Sequence, residues 1–170
     1  MIFEFLSAIT VASPPPSPTW KCEGCTPEEK ITLAYIQERT NITDKNALAT
    51  IMGNIKQESD FKPNICEGGA RVNYDQCHRG GFGLIQWTTT GRYNNLGKFC
   101  RNYGCDPSSL TGQLRYMVNE NIFQRQLPYF EGSGMNVSYY MNAAYRWLGW
   151  GIHGARTNYA YDYTKKFTFS

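Results

Sequence analysis

The longest break in helical periodicity along this chain is Phe61 to Trp87, a glycine-rich stretch with helical patterns on both sides. Before it, Thr26-Pro27-Glu28-Glu29 reads as a helix start, with Thr26 as cap, Pro27 in the first turn and Glu29 closing a capping box. A second helix is predicted from about Asp44 to Glu58. After the break, helical spacing predicts Thr90 to Tyr103, Ser108 to Asn119, Val137 to Leu148 and Arg156 to Lys166. The insert has room for a short hairpin between Cys66 and Cys77 or just after it. The expected class is mainly α (α+β), about five to six helices with a small β-hairpin or loop insert.

Composition narrows the function. The 170 residues suit one ordinary domain plus a tail. With 18% charged and 15% aromatic residues, the chain is too apolar for disorder or a long coiled coil. A net charge of +3, with no run of Lys or Arg beyond two, argues against nucleic acid as a partner. Residues 1–12 are apolar but shorter than the roughly 20 residues that a membrane span needs. They read as a poor export signal or a docking peptide. Residues 13–25 read as a Pro-rich linker and a CxxC, because Ser13 to Pro18 cannot be helical. The domain proper is expected over 26–170.

Six cysteines fall into three close pairs: Cys22 with Cys25, Cys66 with Cys77, and Cys100 with Cys105. An even count at short separations favours local disulfides in an oxidising compartment. Zinc ranks second, since no two pairs have the spacing of a common finger. A redox role for Cys22-x-x-Cys25 ranks third, because such a motif opens a helix after a strand. No cofactor or metal is called for.

Of the fourteen acids, Glu58 is anomalous. Leu48, Ile51 and Ile55 share one helix face, and Glu58 continues it in the same 3-4-3 spacing. An acid therefore ends an apolar stripe at a helix C-terminus, where the macrodipole disfavours negative charge. Burial and dipole should both raise its pKa, as a general acid near neutral pH requires. A frayed last turn that points Glu58 to solvent explains the same pattern equally well. The glycines of Gly80-Gly81-Phe82-Gly83 would let backbone approach a ligand, and Gln86, Trp87 and Thr88 offer groups suited to a sugar. His78 and His153 are poor candidates for catalysis.

Asn54-Ile55-Lys56-Gln57-Glu58-Ser59, Lys62-Pro63-Asn64 and Gly80 to Thr88 together resemble the phage tail lysozyme family. The Glu-Ser pair followed by Gly-Leu-Ile-Gln is also similar to goose-type lysozymes and soluble lytic transglycosylases. The resemblance implies a lysozyme-like fold over about Pro27 to Lys166. It implies a muramidase that hydrolyses the β-1,4 bond between N-acetylmuramic acid and N-acetylglucosamine in peptidoglycan, with Glu58 as acid. A lytic transglycosylase, or a lysozyme fold without catalysis that serves as a structural or glycan-binding virion module, is the alternative. Ser59, Gln86 and Tyr145 match motif positions, although Arg146 follows Tyr145 where the wider superfamily has Asn. Glu67 and Asp75, both in the insert, are the candidates for a second carboxylate. Peptidoglycan is the expected partner, with other tail proteins as candidates for the N-terminal segment. The expected place of action is extracellular or on the virion.

Overall fold

The computed structural model describes residues 19–88 and 90–170, so the apolar segment 1–12 and the proline run lie outside the described residues. In chain order the elements are β1 (Trp20–Lys21), α1 (Pro27–Arg39), α2 (Lys45–Ser59), the insert, α3 (Thr90–Tyr103), α4 (Leu110–Asn119), α5 (Asn121–Glu131), α6 (Val137–Leu148), α7 (Arg156–Lys166) and β2 (Thr168–Phe169). Seven helices thus appear among the described residues, and the mainly α lysozyme-like class holds. No described helix is long and apolar enough to cross a membrane.

Helix starts follow the local chemistry. Thr26 accepts from the Glu29 N–H, and the Glu29 carboxylate accepts from the Thr26 N–H, which completes the capping box. Asp44 caps α2 by accepting from Asn46 and Ala47. Glu29 is buried and also accepts from the Tyr163 hydroxyl at 2.7 Å, tying α1 to α7. Burial holds that phenol well above its ordinary pKa.

The core runs along α2. Leu48, Ile51, Met52 and Ile55 are fully buried, and α2 packs most extensively on α7. That approach depends on Gly53, because a Cβ there would lie 2.6 Å from the Ala160 backbone N. Phe123, Phe130, Tyr140 and Trp147 form a second ring cluster that joins α5 to α6.

Four features of the structure lie beyond the sequence pattern. The hairpin is absent as a ladder: the insert has isolated bridges only, Ile65 with Arg71, Cys66 with Phe82 and Phe82 with Trp87. The sheet instead pairs β1 with β2, antiparallel, Trp20 opposite Phe169. Residues from Thr19 to Cys25, read with the linker, are part of this body, since Cys22 and Cys25 are buried in the core. Finally α5 was not anticipated. Glu120 serves both as C-cap of α4 and N-cap of α5, so two helices abut without the loop that sequence reading looks for. All three cysteine pairs are disulfides, the first-ranked reading, which leaves no free thiol to bind zinc.

The α2–α7 approach makes a testable demand. Gly53→Ala should cost about 1–3 kcal/mol, because backbone and not a flexible side chain stands in the way. A lowered urea midpoint at unchanged slope is the expected result, and an unchanged midpoint would contradict the packing.

Candidate active site

Helix α2 ends where Asp60 and Phe61 both adopt positive φ, at 49° and 62°. This abrupt stop fixes the last turn and leaves no frayed end to carry Glu58 into solvent. Phe61 is buried, which anchors the turn from the other side. Ser59, also buried, donates from Oγ to the Leu84 carbonyl at 2.6 Å. The end of α2 is thereby bound to the Gly83-Leu84-Ile85-Gln86 turn.

That turn is held from behind by a residue not singled out in the sequence. Gln113 of α4 is fully buried, and its Oε1 accepts from the Leu84 N–H at 2.8 Å. Its Nε2 donates to the Pro63 and Pro107 carbonyls. A Cβ on Gly83, at φ 79°, would collide with this amide, so glycine is required both by conformation and by space. A buried Gln near the middle of an apolar helix was the available signal. Gln86, at φ 52°, folds back so that Nε2 donates to the Gly83 and Ile65 carbonyls.

These constraints shape a cavity of about 650 Å³, walled by Gln57 and Glu58 of α2, Ile85, Gln86 and Thr88 of the turn, Arg92 of α3, and the 148–152 segment with Arg156. Among the described residues, Glu58 is the sole acid in these walls. Its side chain is 16% exposed, and Oε1 meets Arg156 Nη1 at 2.8 Å. Arg156 is itself 4% exposed; Nη1 also reaches Asn54 Oδ1 at 3.3 Å, and its guanidinium lies 4.5 Å over the Trp150 ring. Desolvation raises the Glu58 pKa above the ordinary carboxylate value. Arg156, and more distantly Arg92, pull it back without cancelling the rise. Ionisation is therefore delayed, while a cation stands ready to hold the carboxylate once it forms.

The other expected residues divide. Gln86 and Thr88 share the cavity with Glu58. Trp87 does not: it is fully buried, and Nε1 donates to Glu120, so it serves the core and offers no face to a ligand. Ser59 is spent on Leu84. Tyr145 is 54% exposed and stacks edge-on against Trp150, beside the cavity and outside its walls. Glu67 and Asp75 are likewise outside the walls. Glu67 is exposed and accepts from the Gly81 N–H at 3.0 Å, which stabilises the insert, and Asp75 lies on the exposed side of a short 3₁₀ turn, Tyr74–Gln76. His153 contacts Thr157 and the Trp150 ring edge-on.

Arg156 escaped notice as a partner of Glu58, although one clue was present. It opens α7, where the macrodipole disfavours a cation just as the end of α2 disfavours an anion. The two misplaced charges are explained by each other. Among known proteins, the sequence profile of the phage tail lysozyme family matches residues 28–150. No curated protein and no solved structure matches the chain. The matched region contains Glu58 and the whole insert, and it ends before Arg156.

Removing Arg156 should expose the balance. Arg156→Ala leaves a half-buried carboxylate unpaired and should cost about 3 kcal/mol at pH 7. A carboxyl whose folded pKa is raised destabilises the fold above that pKa and is relieved as pH falls through it. Without Arg156 the Glu58 pKa rises further, so the deficit against wild type should be larger at pH 7 than at pH 4.5. Urea titrations at both values check this; a pH-independent deficit would contradict the pairing.

Proposed function

Because the chain belongs to the phage tail lysozyme family, and is thus a lysozyme-like cell-wall enzyme, we propose that it cleaves the β-1,4 bond between N-acetylmuramic acid and N-acetylglucosamine, with Glu58 as general acid. The observation that carries this reading is a desolvated Glu58 with a raised pKa at an open cavity beside Gln86. An accessible cavity supports an enzyme over a lysozyme fold that has lost catalysis, in which the groove would be blocked.

The lining favours one route over the other. Hydrolysis with inversion needs a second carboxylate about 6.5–9.5 Å away to activate water, and retention needs a nucleophilic one nearer still. Glu67 and Asp75, the candidates expected from the sequence, have their own places in the insert outside the cavity. With Glu58 as the single acid that the described residues bring to the walls, the transglycosylase reading has the stronger support. Glu58 donates its proton to the glycosidic oxygen as the C1–O bond breaks. The 6-hydroxyl of the muramyl residue then attacks C1, closes a 1,6-anhydro ring and passes its proton to the Glu58 carboxylate. The acid is restored and no water is consumed.

Arg156 stabilises the carboxylate that exists between the two proton transfers. Its fixed position on Asn54 and Trp150 keeps Glu58 aimed without further reorganisation. An extracellular or virion-associated place of action agrees with three disulfides. The N-terminal segment, where a contact with other tail proteins was expected, lies outside the described residues.

Glu58→Gln should fold normally and lower the rate of turbidity loss of purified peptidoglycan by at least about 10²-fold. Retained activity would overturn the assignment. In the wild type the rate should fall as pH rises through the elevated Glu58 pKa, because the acid form is the working one. Mass spectrometry of the released fragments should show 1,6-anhydro ends; reducing ends alone would favour hydrolysis.

A further inference from the structure

A second cavity, of about 450 Å³, adjoins the first: Arg92 is a wall of both. It lies between α3, the end of α4 and the start of α5, and its chemistry is different. Among the described residues, Arg92, Lys98 and Arg125 are its cations and Glu120 is its one acid. Glu120 is buried and fully engaged. Its Oε1 accepts from Arg92 Nη2 at 2.8 Å and from Trp87 Nε1 at 3.1 Å, and its Oε2 accepts from Arg92 Nε at 2.7 Å and from the Tyr116 hydroxyl at 3.3 Å. Arg92 and Glu120 therefore neutralise each other. Lys98 and Arg125 are exposed, and neither forms an ion pair with a carboxylate among the described residues. Around them the cavity presents asparagine side chains, Asn95 and Asn102 among them, and the half-open ring of Tyr103. The net character is a concave, amide-rich surface with two positive charges left over.

We propose that this cavity receives the acidic stem peptide attached to the glycan, with Lys98 and Arg125 meeting its carboxylates and the asparagines meeting its amide groups. The inference rests on the reading of Glu58 as the glycan-cleaving acid. A muramyl residue carries its stem on the lactyl ether at O3, on the same ring whose C1–O bond Glu58 cleaves. The stem must leave the cleft over one wall, and Arg92 is the wall beyond which unpaired positive charge waits. A phosphate-rich teichoic polymer would also meet two cations, but its phosphodiester backbone has no amides to match the asparagines. Individually, exposed charge contacts are weak. Tethering to a glycan already held in the neighbouring cavity raises the local concentration of the peptide, so weak contacts suffice.

The test uses the full chain carrying Glu58→Gln, so that binding is read without turnover. The probe is the stem peptide L-alanyl-γ-D-glutamyl-diaminopimelic acid linked to its N-acetylglucosaminyl-N-acetylmuramyl disaccharide, with the peptide-free disaccharide as control, titrated while the side-chain amide NMR signals of Asn95 and Asn102 are followed. The expected result is a saturable shift of these signals, with affinity reduced about tenfold or more by Lys98→Ser plus Arg125→Ser and reduced also by added salt. No shift, or a shift that persists unchanged in the double variant, would overturn the proposal. So would a response to poly(glycerol phosphate) without one to the peptide, which would give the cavity to a phosphate polymer. Wild-type cleavage of peptidoglycan is measured in parallel. Intact cleavage with a silent peptide titration defeats this inference alone, whereas peptide binding without any cleavage defeats the reading of Glu58 instead.

Discussion

The ion pair between Glu58 and Arg156 joins two helices at the ends where each charge is least welcome. An anion at the C-terminus of α2 and a cation at the N-terminus of α7 are each unfavourable by about 0.3–1 kcal/mol. Together, 2.8 Å apart, they cancel. The cancellation is available only because Gly53 lets α7 lie against the backbone of α2. Packing thus comes first and the electrostatics follow from it. The pair in turn shapes the cavity, since Arg156 holds Trp150 beneath its guanidinium and Asn54 at its edge.

A carboxyl so placed needs a second wall, and the insert supplies it with little regular structure. Three isolated bridges would not hold a loop of this length open against solvent. The Cys66–Cys77 disulfide, the Glu67 contact to Gly81, and the buried amide of Gln113 take over that role. Glu67 has a structural contact in the insert. Its bond to the Gly81 N–H helps set the glycine run from which Gln86 enters the cavity.

The helices were legible because their signals are local. The capping box at Thr26, the cap at Asp44, and the apolar spacing of Leu48, Ile51 and Ile55 act within one or two turns. Glu58 was legible for the same reason, as an acid at the next position of that apolar spacing. What escaped the sequence was long-range or shared between elements. Arg156 lies 98 residues from Glu58 in the chain, and nothing in its own segment names its partner. Trp87 sits in a motif with cleft residues, yet its bridge to Phe82 and its bond to Glu120 hold it in the core. The helix α5 was hidden by a cap that belongs to two helices at once. The pairing of β1 with β2 joins residues near opposite ends of the described chain, where two-residue strands leave no pattern to read.

Chemistry and stability meet in the protonation of one group. Desolvation holds the Glu58 proton, the Arg156 charge loosens it, and the first effect is the larger. A general acid that must also survive as a carboxylate between two proton transfers needs both influences. The most direct measurement is a ¹³C NMR titration of the Glu58 side-chain carboxyl in the free protein, assigned by comparison with Glu58→Gln. Its midpoint should lie above that of an ordinary glutamate. A midpoint at or below the ordinary value would mean that Arg156 dominates, that Glu58 is ionised when substrate arrives, and that its role as acid is wrong.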